Sequence, residues 1–167
     1  MIDKLRFKNE ISYKATSPDE LALVKGAKCC GIQLLNRDHQ SIKIYNMLTK
    51  QKEALKIIAE FPFDSDRKRM SVLVKDEFRN HLLFTKGADS VMLDRIDCQR
   101  NSIDGLREII EQDLSSYSQE GLRTLVMASR VIHDSEYKQF KKIYGRLNNS
   151  RHSRKEEKLA LLYDLME

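Results

Sequence analysis

Apolar positions along the chain recur in two rhythms, and the change from one to the other sets out the predicted elements. Alternation with period two marks strands. Residues 32–35 and 41–45, the latter with Ile42 and Ile44 on one side, pair as a hairpin about the polar turn at Asn36-Arg37-Asp38. Residues 56–63 and 70–75 read as two more strands, with Met70, Val72 and Val74 sharing a face. A turn over residues 76–80 leads into another strand at 81–85. Helical spacing then takes over at Ile103, Leu106, Ile109, Ile110, Leu114 and Tyr117, and Gly121 stops that helix and returns the chain to a strand over 122–129. A further helix carries Tyr137, Phe140, Tyr144 and Leu147 on one face, followed by a polar break over 148–153. The final helix starts near Lys155, and its stripe of Leu159, Leu162, Leu165 and Met166 reaches the last residues without a stop signal, as in a polypeptide cut from a longer one.

Near the other end, Ser17-Pro18-Asp19-Glu20 opens a helix by local rules. Ser17 caps free N–H groups, Pro18 suits the first helical position, Glu20 completes a capping box, and Gly31 ends the helix. Strand and helix segments are therefore mixed along the chain. No internal repeat or low-complexity tract interrupts it.

Composition narrows the class. The 167 residues, 41% of them hydrophobic, suit one soluble domain with a real core. No run approaches the roughly 18 apolar residues of a membrane span, and Met1-Ile-Asp-Lys-Leu-Arg6 lacks the apolar centre of a signal peptide. Cys29, Cys30 and Cys98 make neither a disulfide framework nor a metal-binding spacing, which points to a reducing compartment. His39, His81, His133 and His152 likewise have no spacing that suggests a metal site or a catalytic pair. The net charge of +5 favours anionic ligands without demanding nucleic acid.

Two short stretches carry the candidate chemistry. In Phe61-Pro-Phe63-Asp-Ser65-Asp-Arg67-Lys68-Arg69-Met70-Ser71 an aromatic ring lies beside a basic cluster at the mouth of a strand, a pairing that suits a flat base and phosphates. Phe63 is either a buried strand residue or a stacking platform for a purine. Arg67, Lys68 and Arg69 are either a solvated edge that keeps a sheet from pairing with other chains or contacts for phosphate. Because neighbours on a strand point to opposite faces, at most two of the three reach one ligand, and Lys68 joins Phe63 only if the backbone turns. Pro62 cannot donate a ladder hydrogen bond, so its segment belongs at an edge or a bend. The second stretch, Lys86-Gly87-Ala88-Asp89, sets a lysine and bare backbone at a strand-to-helix turn, where the alternatives are a solvent-exposed turn or an anion contact. Arg123 reads as a surface charge on a strand. The common glycine-rich phosphate loops are absent.

Taken in order, Ser17-Pro-Asp-Glu-Leu-Ala-Leu-Val24, Phe63-Asp-Ser-Asp-Arg-Lys-Arg-Met-Ser-Val72, Lys86-Gly-Ala-Asp89 and Gly121-Leu-Arg-Thr-Leu125 resemble the nucleotide-binding domain of a P-type ATPase. Asp89, where cation pumps usually have proline, and the Ser17-Pro-Asp-Glu20 start make the likeness narrower, to the phospholipid-translocating branch. The likeness is specific over residues 13–132 and looser beyond. It implies an α+β fold with an antiparallel sheet flanked by helices, one nucleotide-binding domain over residues 1–167, held on the cytoplasmic side of an integral membrane protein. Carried over by position, Phe63 matches the aromatic that stacks on adenine and Glu20 the carboxylate near the adenine amino group. Lys68 and Lys86 match lysines of the pocket, Met70 and Gly87 its wall, and Arg123 an arginine directed to the phosphates, with Leu125 beside it. Ser65 stands where cation pumps can carry a phosphate-contacting arginine.

The Asp-Lys-Thr-Gly motif that supplies the phosphorylated aspartate, the aspartate-rich magnesium site and the Thr-Gly-Glu loop are missing from the sequence. No catalytic residue or metal ligand is therefore assigned. The resemblance implies a monomeric ATP-binding unit without turnover of its own. Mg²⁺ would be bound mainly outside the chain, and the partners would be the phosphorylation, actuator and transmembrane domains, with a phospholipid as the transported substrate. The family's tryptophan in the late helix is absent here, with Phe140 nearby. The competing readings are a cation-pump domain and a basic module in which Arg67, Lys68, Arg69 and residues 151–158 hold nucleic acid or anionic lipid.

Overall fold

In the computed structural model, which describes residues 3–7, 10–97, 105–149 and 153–167, the strands and helices follow the mixed order expected from the sequence. The chain divides into two compact parts, residues 1–58 with 74–80, and residues 59–73 with 81–167. Cys98, Ile103, residues 150–152 and hence His152 lie outside the described residues.

The first part opens with a hairpin that the sequence reading left unassigned, β1 (Asp3–Phe7) against β2 (Glu10–Lys14). Helix α1 (Pro18–Cys29) begins as its capping sequence requires: the Glu20 amide donates to Ser17 Oγ at 3.2 Å, and Pro18 occupies the first turn. It ends before Gly31, whose φ of +93° is costly for any residue with a Cβ. Strands β3 (Ile32–Arg37) and β4 (Ser41–Asn46) form the expected hairpin. Asp38 shapes its turn by accepting the amides of Gln40 at 2.8 Å and Ser41 at 2.7 Å. β3 runs two residues past its predicted end through a bulge between Leu34 and Asn36.

Strand β5 (Gln51–Asp64) starts five residues before the predicted 56. Gln51-Lys52-Glu53 has no apolar alternation; pairing with β4, from Asn46 opposite Gln51 to Ser41 opposite Lys56, makes it a strand.

The second part holds the end of β5, most of β6 (Arg69–Lys75), β7 (His81–Gly87), α2 (Asp89–Met92), α3 (Leu106–Gln119), β8 (Val126–Ile132), α4 (Asp134–Asn148) and α5 (Lys155–Met166). Strands β3 to β8 form one six-stranded antiparallel sheet in chain order, with helices flanking it. The core of the second part is aromatic. Phe61, fully buried, stacks on Tyr163 of α5 at 4.2 Å between centroids and meets Phe140 of α4 at 5.7 Å. Leu73, Leu83 and Ile132 complete the buried face, each side chain stabilising the fold by about 1.5–3 kcal/mol. Burial, and then the neighbouring Tyr144, push the Tyr163 hydroxyl up to about 12.

Two sequence expectations are corrected here. β8 begins at Val126 rather than 122, because β7 ends at Gly87, opposite Val126, and leaves residues 122–125 without a ladder partner. Gly121, at φ +74°, and Leu122 instead donate back to Ser118 and Tyr117, closing the end of α3. On α5 the inward stripe is Leu162, Tyr163 and Met166, while Leu165 is 80% exposed. On β6 Met70, Val72 and Val74 share one face as expected and Arg69, Ser71 and Leu73 the other, with Leu73 and Val74 both fully buried.

Candidate functional site

Within the second part, β5 finishes at Asp64, β6 starts at Arg69, β7 finishes at Gly87 and β8 starts at Val126. These four ends lie side by side: the Ala88 amide donates to the Lys68 carbonyl at 3.1 Å, and Gly87 stands opposite Val126. Eight of the nine sequence-predicted site residues are therefore carried to one end of four neighbouring strands or to the segment leading into them. These are Phe63, Ser65, Lys68, Met70, Lys86, Gly87, Arg123 and Leu125. The ninth, Glu20, sits half-buried in the first turn of α1, in the other compact part.

The turn joining β5 to β6 is built by Asp64. Its carboxylate accepts the amides of Asp66 at 2.7 Å and Arg67 at 3.3 Å, and its carbonyl accepts the Lys68 amide at 2.7 Å. Those amides hold the Asp64 carboxyl below the usual carboxylate range. Lys68 closes the turn in the left-handed conformation, with φ +51°, so the backbone does turn where the sequence required it. Ser65 and Lys68 are exposed on the turn. At its start Phe63 is 61% exposed although Phe61, two residues earlier on the strand, is sealed. Pro62 separates them, beyond the last β4–β5 pair at Lys56.

The basic cluster is not a solvated edge. Arg67 and Arg69 are only 9% and 2% exposed, and both grip the Glu167 carboxylate at 2.7 Å. Arg69 also pairs with Asp164, whose carboxyl is held below its ordinary range by Arg69 and, more weakly, by Arg95 at 3.0 Å. Of the three successive cations, Lys68 alone faces solvent. Glu167 was not singled out from the sequence; it lies 100 residues from Arg67, and no local pattern links them.

Face assignments follow from pairing. Ser71 and Thr85 share a hydrogen bond at 2.8 Å on the side that also meets Glu167, so Met70 and Lys86 belong to the other, more open side. Lys86, half-buried, stands directly opposite Met127, which is 55% exposed. Phe84, on the Lys86 side of β7, is 41% exposed. Gly87 serves close approach. A Cβ there would lie 2.6 Å from Arg69 Cβ and 2.8 Å from the Lys68 carbonyl, blocking the β6–β7 contact that seats Lys68. Arg123 and Leu125 are exposed in the irregular segment after Gly121, not on a strand.

A cavity of about 570 Å³ lies on the covered side, lined by Leu83, Thr85, Met92, Ile110 and Arg130 among others, and it includes none of the predicted site residues. The site is an open surface with a protruding ring and exposed or half-exposed cations. Such a surface can stack a flat base and neutralise phosphates. Among the described residues no group of His, Cys, Asp and Glu is arranged to hold a metal ion, and no helix is long and apolar enough to cross a membrane.

The sequence matches the family model for the P-type ATPase cytoplasmic domain N over residues 4–161. It is 35% identical to the phospholipid-transporting ATPase NEO1 of Saccharomyces cerevisiae, an alignment covering 82% of the chain and 11% of that protein. It is 36% identical to the probable phospholipid-transporting ATPase tat-5 of Caenorhabditis elegans, over 81% of the chain and 12% of that protein. To phospholipid-transporting ATPase 10 of Arabidopsis thaliana it is 33% identical, over 93% of the chain and 13% of that protein. The chain thus spans between 11% and 13% of the length of these curated relatives. The match covers nearly the whole chain and agrees with the antiparallel sheet and its flanking helices: the protein belongs to the P-type ATPase cytoplasmic domain N family, as the nucleotide-binding domain of such an ATPase.

Proposed function

We propose that residues 1–167 act as one domain that binds ATP on the open end of the sheet and holds it for phosphorylation of an aspartate in a separate domain of a phospholipid-translocating ATPase. The observation that carries this reading is Phe63, an exposed ring on the strand end beside the left-handed, solvent-facing Lys68. Phe63 stacks on adenine, an interaction worth roughly 1–3 kcal/mol. Lys68, Lys86 and Arg123 neutralise the polyphosphate; Met70, Leu125 and the Gly87 backbone shape the wall, and Ser65 borders it. The names of the relatives support the lipid-transporting branch over a cation pump. The burial of Arg67 and Arg69 in ion pairs removes them from a nucleic-acid or lipid-binding role.

Phosphoryl transfer depends on positioning and charge neutralisation, with Mg²⁺ at the transferring group. In this reading Mg²⁺ is held mainly by the rest of the parent enzyme, and the isolated chain binds ATP as a monomer without hydrolysing it. In that enzyme the domain lies on the cytoplasmic side of the membrane. One stack and two or three charge-assisted contacts of about 1.5–3 kcal/mol each, set against several kcal/mol of lost freedom, give a Kd of about 0.1–10 mM. Titrating the isotopically labelled chain with ATP tests the site: the signals of Phe63, Lys86 and Arg123 shift together while no phosphate is released. Unshifted signals at about tenfold excess over that range reject the reading.

A further inference from the structure

The two buried arginines that flank Lys68 do more than fill the space under the sheet. Arg67 donates from Nη2 to the Pro62 carbonyl at 2.6 Å, which belongs to the peptide immediately before Phe63. Arg69 donates from Nη1 to the Arg67 carbonyl at 2.9 Å, which belongs to the peptide immediately before Lys68. Each arginine thus pins the backbone that presents one exposed site residue.

Both are fixed in turn by one carboxylate. Glu167, its side chain 0% exposed, accepts from Arg67 Nη1 at 2.9 and 2.7 Å through its two oxygens and from Arg69 Nε at 2.7 Å. Ser71 Oγ, itself joined to Thr85, donates to the same group. The backbone just before Glu167 is anchored as well, since Arg130 of β8 donates to the Met166 carbonyl at 3.1 Å from Nε and 2.6 Å from Nη2. A buried carboxylate in this position balances two desolvated guanidinium groups and fixes their direction. The arginine planes carry that direction to the peptides at 62–63 and 67–68.

We propose that Glu167 is a positioning residue for nucleotide binding: from the covered side of the sheet it holds, through Arg67 and Arg69, the turn that presents Phe63 and Lys68 to solvent. The inference rests on the assignment of Phe63 and Lys68 to the ATP site. Because Glu167 touches no ligand, its effect is on the free protein's preorganisation, and it couples the end of α5 to the strength of ATP binding.

The test compares Glu167→Gln, Glu167→Asp, Leu162→Ala and Phe63→Ala in the 167-residue chain, reading thermal stability, the amide signals of Phe63 and Lys68 without ligand, and the Kd for ATP. Glu167→Gln should move both amide signals and weaken ATP binding by about fivefold or more, the lower end of typical coupling between sites. Glu167→Asp keeps the charge on a shorter arm and should fall between Gln and the parent, which preserves the test if Gln fails to fold. Leu162→Ala, a cavity in the same helix, should lower stability and leave Kd within about twofold of the parent. If the Glu167 variants lower stability but leave the two amides and the ATP affinity as they were, like Leu162→Ala, the positioning role is overturned while the site stands. If Phe63→Ala also leaves ATP affinity unchanged, the site assignment falls and the positioning role with it.

Discussion

Phe61 and Phe63 are the same residue type two positions apart on one strand, yet the first is fully buried and the second is 61% exposed. Phe61 is covered by Tyr163 and Phe140; Phe63 stands at the strand end after Pro62, with no ring packed against it among the described aromatic pairs. The same contrast repeats one turn later, where Arg67 and Arg69 point into an ion-paired interior and Lys68 points out. The buried positions of this strand end and turn are spent on stability, and the exposed ones are left for a ligand. Stability and binding should therefore separate cleanly by residue.

Breaking the covered side has the largest effect. Phe61→Ala should cost about 3–5 kcal/mol in urea unfolding, since it opens a cavity under two aromatic rings. Phe63→Ala should change stability by no more than about 0.5 kcal/mol. It should instead weaken ATP binding by about 1–3 kcal/mol, roughly fivefold to over a hundredfold. Equal losses of stability in the two variants would erase the comparison.

The cationic pair sharpens it. Arg69→Ala leaves the Glu167 charge with one partner fewer in a desolvated place and should destabilise by about 3–5 kcal/mol. Lys68→Ala should leave urea midpoints nearly unchanged while raising the Kd for ATP severalfold, as loss of a contact of about 1.5–3 kcal/mol requires. Between the two sides lies Gly87. Gly87→Ala places a methyl group against Arg69 Cβ and the Lys68 carbonyl, and should cost about 1–3 kcal/mol while moving the Lys68 amide signal.

The smallest expected effect is on pH. The Asp64 carboxyl is lowered by the Asp66 and Arg67 amides, so its folded pKa lies below its unfolded one. Its contribution is complete above the ordinary carboxylate range, near pH 4, and is lost as the pH falls through the lowered folded value. An acid titration followed by the Asp66 and Lys68 amides should show the turn intact at pH 5 and loosening only below about 4. In Asp64→Asn that pH dependence should vanish.

Much of the fold was legible because local rules and tertiary packing agree. Ser17 and Pro18 start α1 where the capping pattern predicts, and the alternation of Ile42 and Ile44 marks β4. The failures have tertiary causes. Gln51-Lys52-Glu53 becomes strand only by pairing with β4, and residues 122–125 are not strand because β7 ends at Gly87. For the site, motif order indicated which residues gather at the strand ends, and Pro62 lies in the stretch of β5 beyond its last pair with β4. Arg67 and Arg69 could not be placed, because their burial depends on Glu167, which is far away in sequence and carries no pattern of its own.

The central claim is that the exposed benzyl ring at position 63 stacks on the adenine of bound ATP. Intermolecular nuclear Overhauser effects between adenine H2 or H8 and assigned aromatic protons, measured at saturating ATP, test it directly. The account predicts cross-peaks to the Phe63 ring and none to Phe61. Adenine cross-peaks to Phe84 without Phe63, or none to any aromatic ring, would contradict it.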